Sequence, residues 1–171
     1  METITIQSLT LSYPEDFSIL DEAERAKMRF AEEGEGVCLS APELHILISL
    51  AWTLTGPLIP RLLGSRELAE RKQGAVRRPL SLTDYKLGDM LRRSVGGECA
   101  EGFCYTYTAQ DIPMYGETLV VKAGRVFYYL HFYARQELKA ESLPVWEAFL
   151  ASARWAEPDG KPGIKSWLPW T

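Results

Sequence analysis

The sequence predicts an α+β fold, an α/β/α sandwich with a largely antiparallel β-sheet and helices on both faces. Two observations predict it. Residues 125–133, RVFYYLHFY, read as a strand in which neither alternate set of positions is polar, so both faces of that strand need cover. Residues 145–153 then place an apolar stripe at helical spacing, which supplies one of the two covers.

Length and composition predict one domain with a core of its own. The chain has 171 residues, of which 46% are hydrophobic and 25% charged, and both fractions are ordinary for a globular protein. We expect a single domain over residues 1–155. Residues 156–171 form an aromatic tail, and we expect it to dock on the domain because Trp167 and Trp170 would otherwise be exposed to water.

The first half of the chain predicts three strands and a helix. Residues 3–12 alternate apolar and polar side chains and predict one strand. A helix capped by Asp21 should follow and end by Gly36. The apolar runs 37–41 and 45–52, separated by PEL, predict the next two strands.

The middle of the chain is less regular. Residues 57–72 predict a helix whose apolar stripe runs from Leu58 to Leu63, and this stripe could cover the second face of the sheet. Residues 73–93 mix helix, turn and strand signals, and we expect a loop there with at most a short helix.

Three strands and a helix are predicted next. The strands are residues 102–109, 117–123 and 125–133, with a tight turn at Gly124. Ser142 is the expected cap of the closing helix, and Pro144 should lie in its first turn. The stripe of this helix comprises Val145, Trp146, Phe149, Leu150 and Ala153.

These segments resemble a known family. LTLSYPEDF, GFCYTYTAQ, GETLVVKAGRVFYYLHFYA and PVWEAFLASARW follow in the order of the PsbP-like (Mog-one/PsbP-like) superfamily, and the resemblance spans most of residues 3–155. That group includes an extrinsic photosystem II subunit, a Ran-binding import factor and many bacterial proteins, which this chain is most similar to. The resemblance implies an α/β/α sandwich, but it assigns no binding residue, because a fold alone does not define an activity.

Cysteine number and hydropathy predict a cytoplasmic protein. Three cysteines, Cys38, Cys99 and Cys104, suit a reducing compartment better than a disulfide framework. The first residues lack the pattern of a secretory signal. No apolar run approaches the roughly 18 residues of a membrane span, so we expect no membrane contact.

No motif predicts catalysis, a metal or a cofactor. Cys99 and Cys104 lack the second ligand pair of a zinc site. His45 and His131 are the only histidines, and each could lie near a cysteine if the strands align, as a Cys38–His45 or a Cys104–His131 pair. Satisfied core or edge histidines are the simpler interpretation, and no catalytic residue is assigned.

Charge is distributed unevenly along the chain. The net charge is -4, yet residues 61–93 hold nine basic and four acidic side chains, whereas residues 14–36 hold eight acidic and three basic ones. The two segments could pair within the molecule. Alternatively the basic segment binds an acidic partner, and its arginine pairs are the candidate binding residues: Arg77, Arg78, Arg92 and Arg93.

Three functions remain open at this point. The first is a non-enzymatic protein that binds a protein partner or forms a homo-oligomer. The second is a ligand-binding protein or enzyme with a pocket between sheet and helix, lined by Tyr105, Tyr107 or Tyr129, because buried tyrosine hydroxyls need partners. Nucleic-acid binding is the third, and the acidic net charge argues against it.

Overall fold

The structure is a computed structural model that describes residues 1–26, 36–55, 63–80 and 83–156. Within these ranges the helices are α1 (Glu22–Ala26), α2 (Ser65–Leu80) and α3 (Lys139–Ala151), with 3₁₀ turns at Pro42–Leu44 and Gln136–Leu138. The strands are β1 (Glu2–Ile6), β2 (Leu9–Tyr13), β3 (Ser18–Ile19), β4 (Gly36–Ala41), β5 (Ile46–Leu54), β6 (Lys86–Val95), β7 (Glu98–Ala109), β8 (Ile112–Ala123), β9 (Val126–Arg135) and β10 (Arg154–Trp155).

Seven strands form one antiparallel sheet in the order β3-β4-β5-β9-β8-β7-β6. A second sheet has the order β1-β2-β10 and is also antiparallel. Helices α2 and α3 contact the large sheet, α2 through β7 and β8 and α3 through β6 and β9. The predicted α+β sandwich with a largely antiparallel sheet is confirmed.

Strand β9 is covered on both faces, as its lack of a polar face predicted. On one face Phe132 stacks on Trp146 of α3, with ring centroids 5.1 Å apart. The small sheet covers the same face, where Tyr128 packs edge-on against Trp155. The predicted stripe of α3 therefore forms the main core together with the second sheet.

Helix α2 covers the opposite face of the large sheet. Phe127 and Tyr129 of β9 pack with Ala69, and Tyr133 lies in a cluster with Leu80. Residues 58–62 of the predicted covering stripe lie outside the described residues. Among the described residues, cover on this face comes from α2.

Several predicted boundaries are wrong. Residues 3–12 form a hairpin of β1 and β2 rather than one strand, because Gln7 adopts a left-handed φ of 54° and reverses the chain. Asp21 does cap α1, since its Oδ1 accepts the Glu24 N–H at 2.7 Å. The end of that predicted helix, residues 27–35, lies outside the described part of the chain, as do residues 157–171 of the tail.

The prediction of a loop over residues 73–93 is also wrong. Helix α2 runs from Ser65 to Leu80, past the predicted end at residue 72, and β6 follows from Lys86. The closing helix α3 starts at Lys139 behind a 3₁₀ turn, so Ser142 is a buried residue inside the helix rather than its cap. These corrections matter for function, because the basic segment, residues 61–93, consists largely of α2 and β6.

Candidate functional site

Strand β6 is an edge of the large sheet. Within the described residues it pairs with β7 and with no other strand. Residues Lys86–Met90 are all exposed, and Leu87 and Met90 expose 50% and 38% of their surface although both are apolar. One side of this ten-residue strand therefore presents backbone N–H and C=O groups that no described strand pairs with.

A bulge shapes the first half of β6. Leu87 lies opposite Tyr105 and Met90 opposite Phe103, so Gly88 and Asp89 together face the single residue Cys104. A Cβ at Gly88 would lie 2.6 Å from the Cys104 Sγ and 3.1 Å from its carbonyl oxygen, which explains why glycine is needed there. The bulge is thus held by close packing against β7.

A buried carboxylate fixes the second half of β6 from behind. Glu117 of β8 is fully buried, and both of its oxygens accept hydrogen bonds from Arg93, at 2.6 Å and 2.8 Å. The Tyr115 hydroxyl and the Trp146 indole also donate to it, at 2.7 Å and 2.8 Å. This carboxylate joins β6, β8 and α3 at one point.

Glu117 contributes to the pKa shifts of two neighbouring groups. Its hydrogen bonds raise the pKa of the Arg93 guanidinium above the usual value, against the effect of partial burial. Burial raises the pKa of the Tyr115 hydroxyl, and the hydrogen bond to Glu117 adds to that rise. With four donors already bound, the carboxylate has a structural role and is poorly placed to act as a base.

A cleft of about 370 Å³ separates β6 from α2. Four residues of α2 line it at helical spacing, and Tyr85 and Leu87 line it from the β6 side; the α2 residues are Glu70, Gln73, Gly74 and Arg77. The Gln73 side-chain amide also donates to the Met90 Sδ at 3.2 Å, which ties the helix to the strand. An edge strand and a helix thus form the two walls of one groove.

Tyr85 is unusual among the residues of this cleft. Its hydroxyl is buried and, among the buried side-chain nitrogen and oxygen atoms of the described residues, it alone lacks a hydrogen-bond partner. Burial raises the pKa of this hydroxyl, and the Arg77 guanidinium partly offsets the rise. A buried hydroxyl without a hydrogen-bond partner costs free energy. A group that accepts a hydrogen bond from this hydroxyl would therefore be stabilised there.

The four predicted binding arginines are separated by the fold. Arg77 and Arg78 are exposed on the last turns of α2, and Arg77 lines the α2–β6 cleft. Arg92 is exposed on β6 and its Nε lies 2.9 Å from the Glu101 carboxylate. Arg93 projects to the opposite face of the sheet, where it binds Glu117. The structure thus places Arg77 at the groove. It places Arg93 in the ion pair with buried Glu117, which we call the Arg93–Glu117 anchor.

The three predicted pocket tyrosines are interior residues. Tyr105, Tyr107 and Tyr129 expose 1%, 3% and 8% of their surface. Tyr105 donates to or accepts from Thr118, and the Lys72 ammonium lies 4.3 Å from the centre of the Tyr129 ring. None of the three lines the α2–β6 cleft or the cleft between β6 and α3.

The cleft between β6 and α3 is larger, at about 650 Å³. Its cations are already engaged: Arg93 binds Glu117 and Glu147, Arg92 binds Glu101, and Arg154 donates to the Ala153 carbonyl at 2.9 Å. Since each guanidinium has a partner from the chain, this cleft offers a weaker binding site than the α2–β6 groove does.

Neither predicted cysteine–histidine pair forms. Cys104 lies opposite Glu117 on the α3 face, whereas His131 faces α2. Cys38 is buried in β4, and His45 is exposed at the turn before β5. The His131 Nδ1 is instead hydrogen-bonded to the Thr118 hydroxyl on the neighbouring strand, at 2.8 Å.

The predicted charge pairing between segments 14–36 and 61–93 stays a prediction, because residues 27–35 of the acidic segment lie outside the described part of the chain. Arg66, Arg92 and Arg93 pair with carboxylates of α2, β7, β8 and α3. In the described ranges no group of three or more His, Cys, Asp or Glu side chains could hold a metal ion. None of the described helices is both long and apolar enough to cross a membrane.

Sequence reasoning missed the groove and the anchor. Glu117 carried a usable signal, because one acidic residue in the apolar run GETLVV predicts a buried, paired carboxylate. Tyr85 carried none, since its missing partner depends on how α2 and β6 pack.

Comparisons with known proteins show the fold. No protein-family model matches the chain, and no curated protein does. The chain is similar to the solution structure of cyanobacterial PsbP (CyanoP) from Synechocystis sp. PCC 6803, with a TM-score of 0.65 and 11% identity over 91% of this chain and 92% of that one.

Two further structures are similar. One is LpqN of Mycobacterium tuberculosis, described as involved in cell envelope biogenesis, with a TM-score of 0.55 and 14% identity over 89% of this chain and 88% of LpqN. The other is a protein of Bacteroides thetaiotaomicron VPI-5482, with a TM-score of 0.56 and 11% identity over 90% of this chain and 46% of that one. The chain therefore has a PsbP-like fold, as its sequence predicted.

Proposed function

We propose that this protein is a non-enzymatic protein that binds an extended, acidic segment of another protein along β6. The segment adds to the large sheet as one more strand and lies in the groove between β6 and α2. The observation that carries the proposal is the open edge of β6, a ten-residue strand paired on one side only among the described residues.

An open edge next to a helix suits peptide binding for a physical reason. The unpaired N–H and C=O groups of the edge give an added strand its affinity, and alternate side chains of that strand reach the groove and give specificity. Exposed Leu87 and Met90 offer apolar contacts beside those groups. The bulge and the Arg93–Glu117 anchor hold the edge in place, which lowers the ordering cost of binding.

Charge selects the class of partner. Residues 61–93 carry an excess of five positive charges (nine basic minus four acidic) in a chain whose net charge is -4. Two copies paired β6 to β6 would bring these excesses together, whereas an acidic segment is attracted to them. We therefore favour another protein over a second copy of this chain.

The other two functions have less support. A tyrosine-lined ligand site is disfavoured because Tyr105, Tyr107 and Tyr129 are buried and none of them lines either of the two clefts described above. Nucleic acid would use the positive charge but not the strand edge. A cytoplasmic location is part of the proposal and is supported by three cysteines that form no disulfide.

Synthetic peptides test the proposal directly. The probe is fluorescein-labelled Asp-Thr-Val-Thr-Glu-Thr-Val-Thr-Asp, and fluorescence anisotropy measures its binding. We expect binding together with slower amide hydrogen exchange in β6. N-methylation of one alternate set of peptide nitrogens should abolish binding and methylation of the other set should not, because an added strand presents alternate N–H groups to the edge.

Two matched variants locate the site. Leu87→Glu on β6 should weaken peptide binding by about tenfold or more, and Ile19→Glu on the other edge strand, β3, should leave it unchanged. The two side chains are equally exposed, at 50% and 52%, so neither change should shift stability by more than about 0.5 kcal/mol. Equal binding by both variants, or peptide displacement by an oligonucleotide or by dimer formation, would overturn the proposal.

A further inference from the structure

We infer that the α2–β6 cleft accommodates an aspartate or glutamate side chain of the bound segment, which accepts a hydrogen bond from the Tyr85 hydroxyl and pairs with Arg77. The inference rests on the proposed function and adds to it a preference for one side-chain type at one position. It makes Tyr85 and Arg77 specificity-determining residues.

The Tyr85 hydroxyl calls for an acceptor. A phenol both donates and accepts, but a neutral donor buried without a partner is stabilised most by a charged acceptor. The hydroxyl has no hydrogen-bond partner among the described residues, and Tyr85 lines the cleft that the added strand borders. A carboxylate reaching this point from the partner would satisfy the hydroxyl only in the complex.

The other groups of the cleft favour a negative charge over a neutral side chain. Arg77 is exposed at the end of α2 and supplies a cation that lies close enough to act on the Tyr85 hydroxyl. Glu70 is the one acid that lines the cleft, and Arg66 pairs with it at 3.4 Å, which reduces its repulsion of a second carboxylate. The Gln73 amide is engaged with Met90.

The size of the cleft suits a single side chain. Its volume of about 370 Å³ exceeds that of a glutamate side chain and lies at the lower end of the range for small-molecule sites. Because strand pairing can shift in steps of two residues without changing which side chains face α2, the central residue of a short peptide can reach the cleft.

Three peptides that differ at one position test the preference. The central Glu of Asp-Thr-Val-Thr-Glu-Thr-Val-Thr-Asp is replaced by Gln or by Lys. We expect the Glu peptide to bind about tenfold more tightly than the Gln peptide, as one charge-assisted hydrogen bond implies, and the Lys peptide to bind most weakly. Arg77→Gln should reduce the difference between Glu and Gln.

Tyr85→Phe separates recognition from stability. We expect it to reduce the preference for Glu over Gln to about twofold or less and to leave the urea midpoint of unfolding unchanged or higher, because it removes a hydroxyl without a partner. Tyr128→Phe is the matched control. The Tyr128 hydroxyl bonds the Ser8 hydroxyl at 2.9 Å on the other face of the sheet, so this variant should lower the midpoint and keep the preference.

The outcomes distinguish this inference from the proposed function. If the Glu and Gln peptides slow β6 hydrogen exchange equally, the function stands and the inference is wrong. A Tyr85→Phe variant that keeps the full preference for Glu also overturns the inference. If none of the three peptides binds, the proposed function itself fails.

Discussion

The two edges of the large sheet are built differently. Strand β3 has two residues, Ser18 and Ile19, and leads directly towards α1, so it offers almost no template for another chain. Strand β6 has ten residues, and its first five, Lys86–Met90, are all exposed. Short edge strands are a common protection against unwanted pairing, and β3 has it where β6 does not.

What β6 has instead is selective protection. The bulge at Gly88 and Asp89 and the charges of Lys86, Asp89 and Arg92 hinder pairing with another copy of the same edge. Of these charges, Lys86 and Arg92 attract an acidic strand that follows the bulge, and only Asp89 opposes it. The comparison teaches that an edge strand can resist pairing with a second copy of itself and still accept a strand of opposite charge.

The largest expected effect concerns the anchor that keeps β6 in place. Arg93→Ala leaves the fully buried Glu117 without its cation, and we expect a loss of about 3 kcal/mol in the free energy of unfolding, measured by urea denaturation. Arg92→Ala removes the neighbouring arginine, whose side chain is 68% exposed, and should cost less than about 1 kcal/mol. Equal losses would show that the anchor is not special.

The next effect concerns the bulge. Gly88→Ala forces a methyl group against Cys104 and should cost about 1 to 2 kcal/mol. Gly74→Ala on α2 is the matched change, since no atom lies within 4 Å of the new methyl, and it should stabilise the helix by up to about 1 kcal/mol. In urea denaturation, the two variants should therefore change the free energy of unfolding in opposite directions. The same sign for both would mean that the packing of β6 on β7 is not what requires glycine.

Sequence patterns predicted the interior better than the edges, for a physical reason. Strand β9 was recognisable because burial on both faces leaves a run of large apolar residues, and α3 because its stripe faces one core. Gly124 marked a turn and does have a left-handed φ of 62°. The hairpin at Gln7 was missed because a non-glycine residue adopts that conformation there.

Apart from Arg77, the candidate site could not be predicted, because most of its residues lie on the surface and follow no periodic pattern. Strand β6 has no alternation to detect, since an open edge with a bulge places polar residues on both faces. The cleft forms only where residues 70–77 pack near residues 85–87, and no local sequence pattern predicts that packing.

The smallest expected effect measures how closely the groove surrounds Tyr85. Burial raises the pKa of its hydroxyl, Arg77 partly offsets the rise, and Cys104 adds to it. A raised folded-state pKa means that this contribution to stability is complete below about pH 10 and is lost as pH rises towards the folded-state value. Tyr85→Phe should therefore make the alkaline fall in unfolding free energy shallower, by at most about 1.4 kcal/mol per pH unit, in urea titrations above pH 9. Arg77→Gln should extend that fall to higher pH, because the offsetting charge is gone. An alkaline limb that neither variant changes would mean that water already reaches the Tyr85 hydroxyl and that the groove does not shield it.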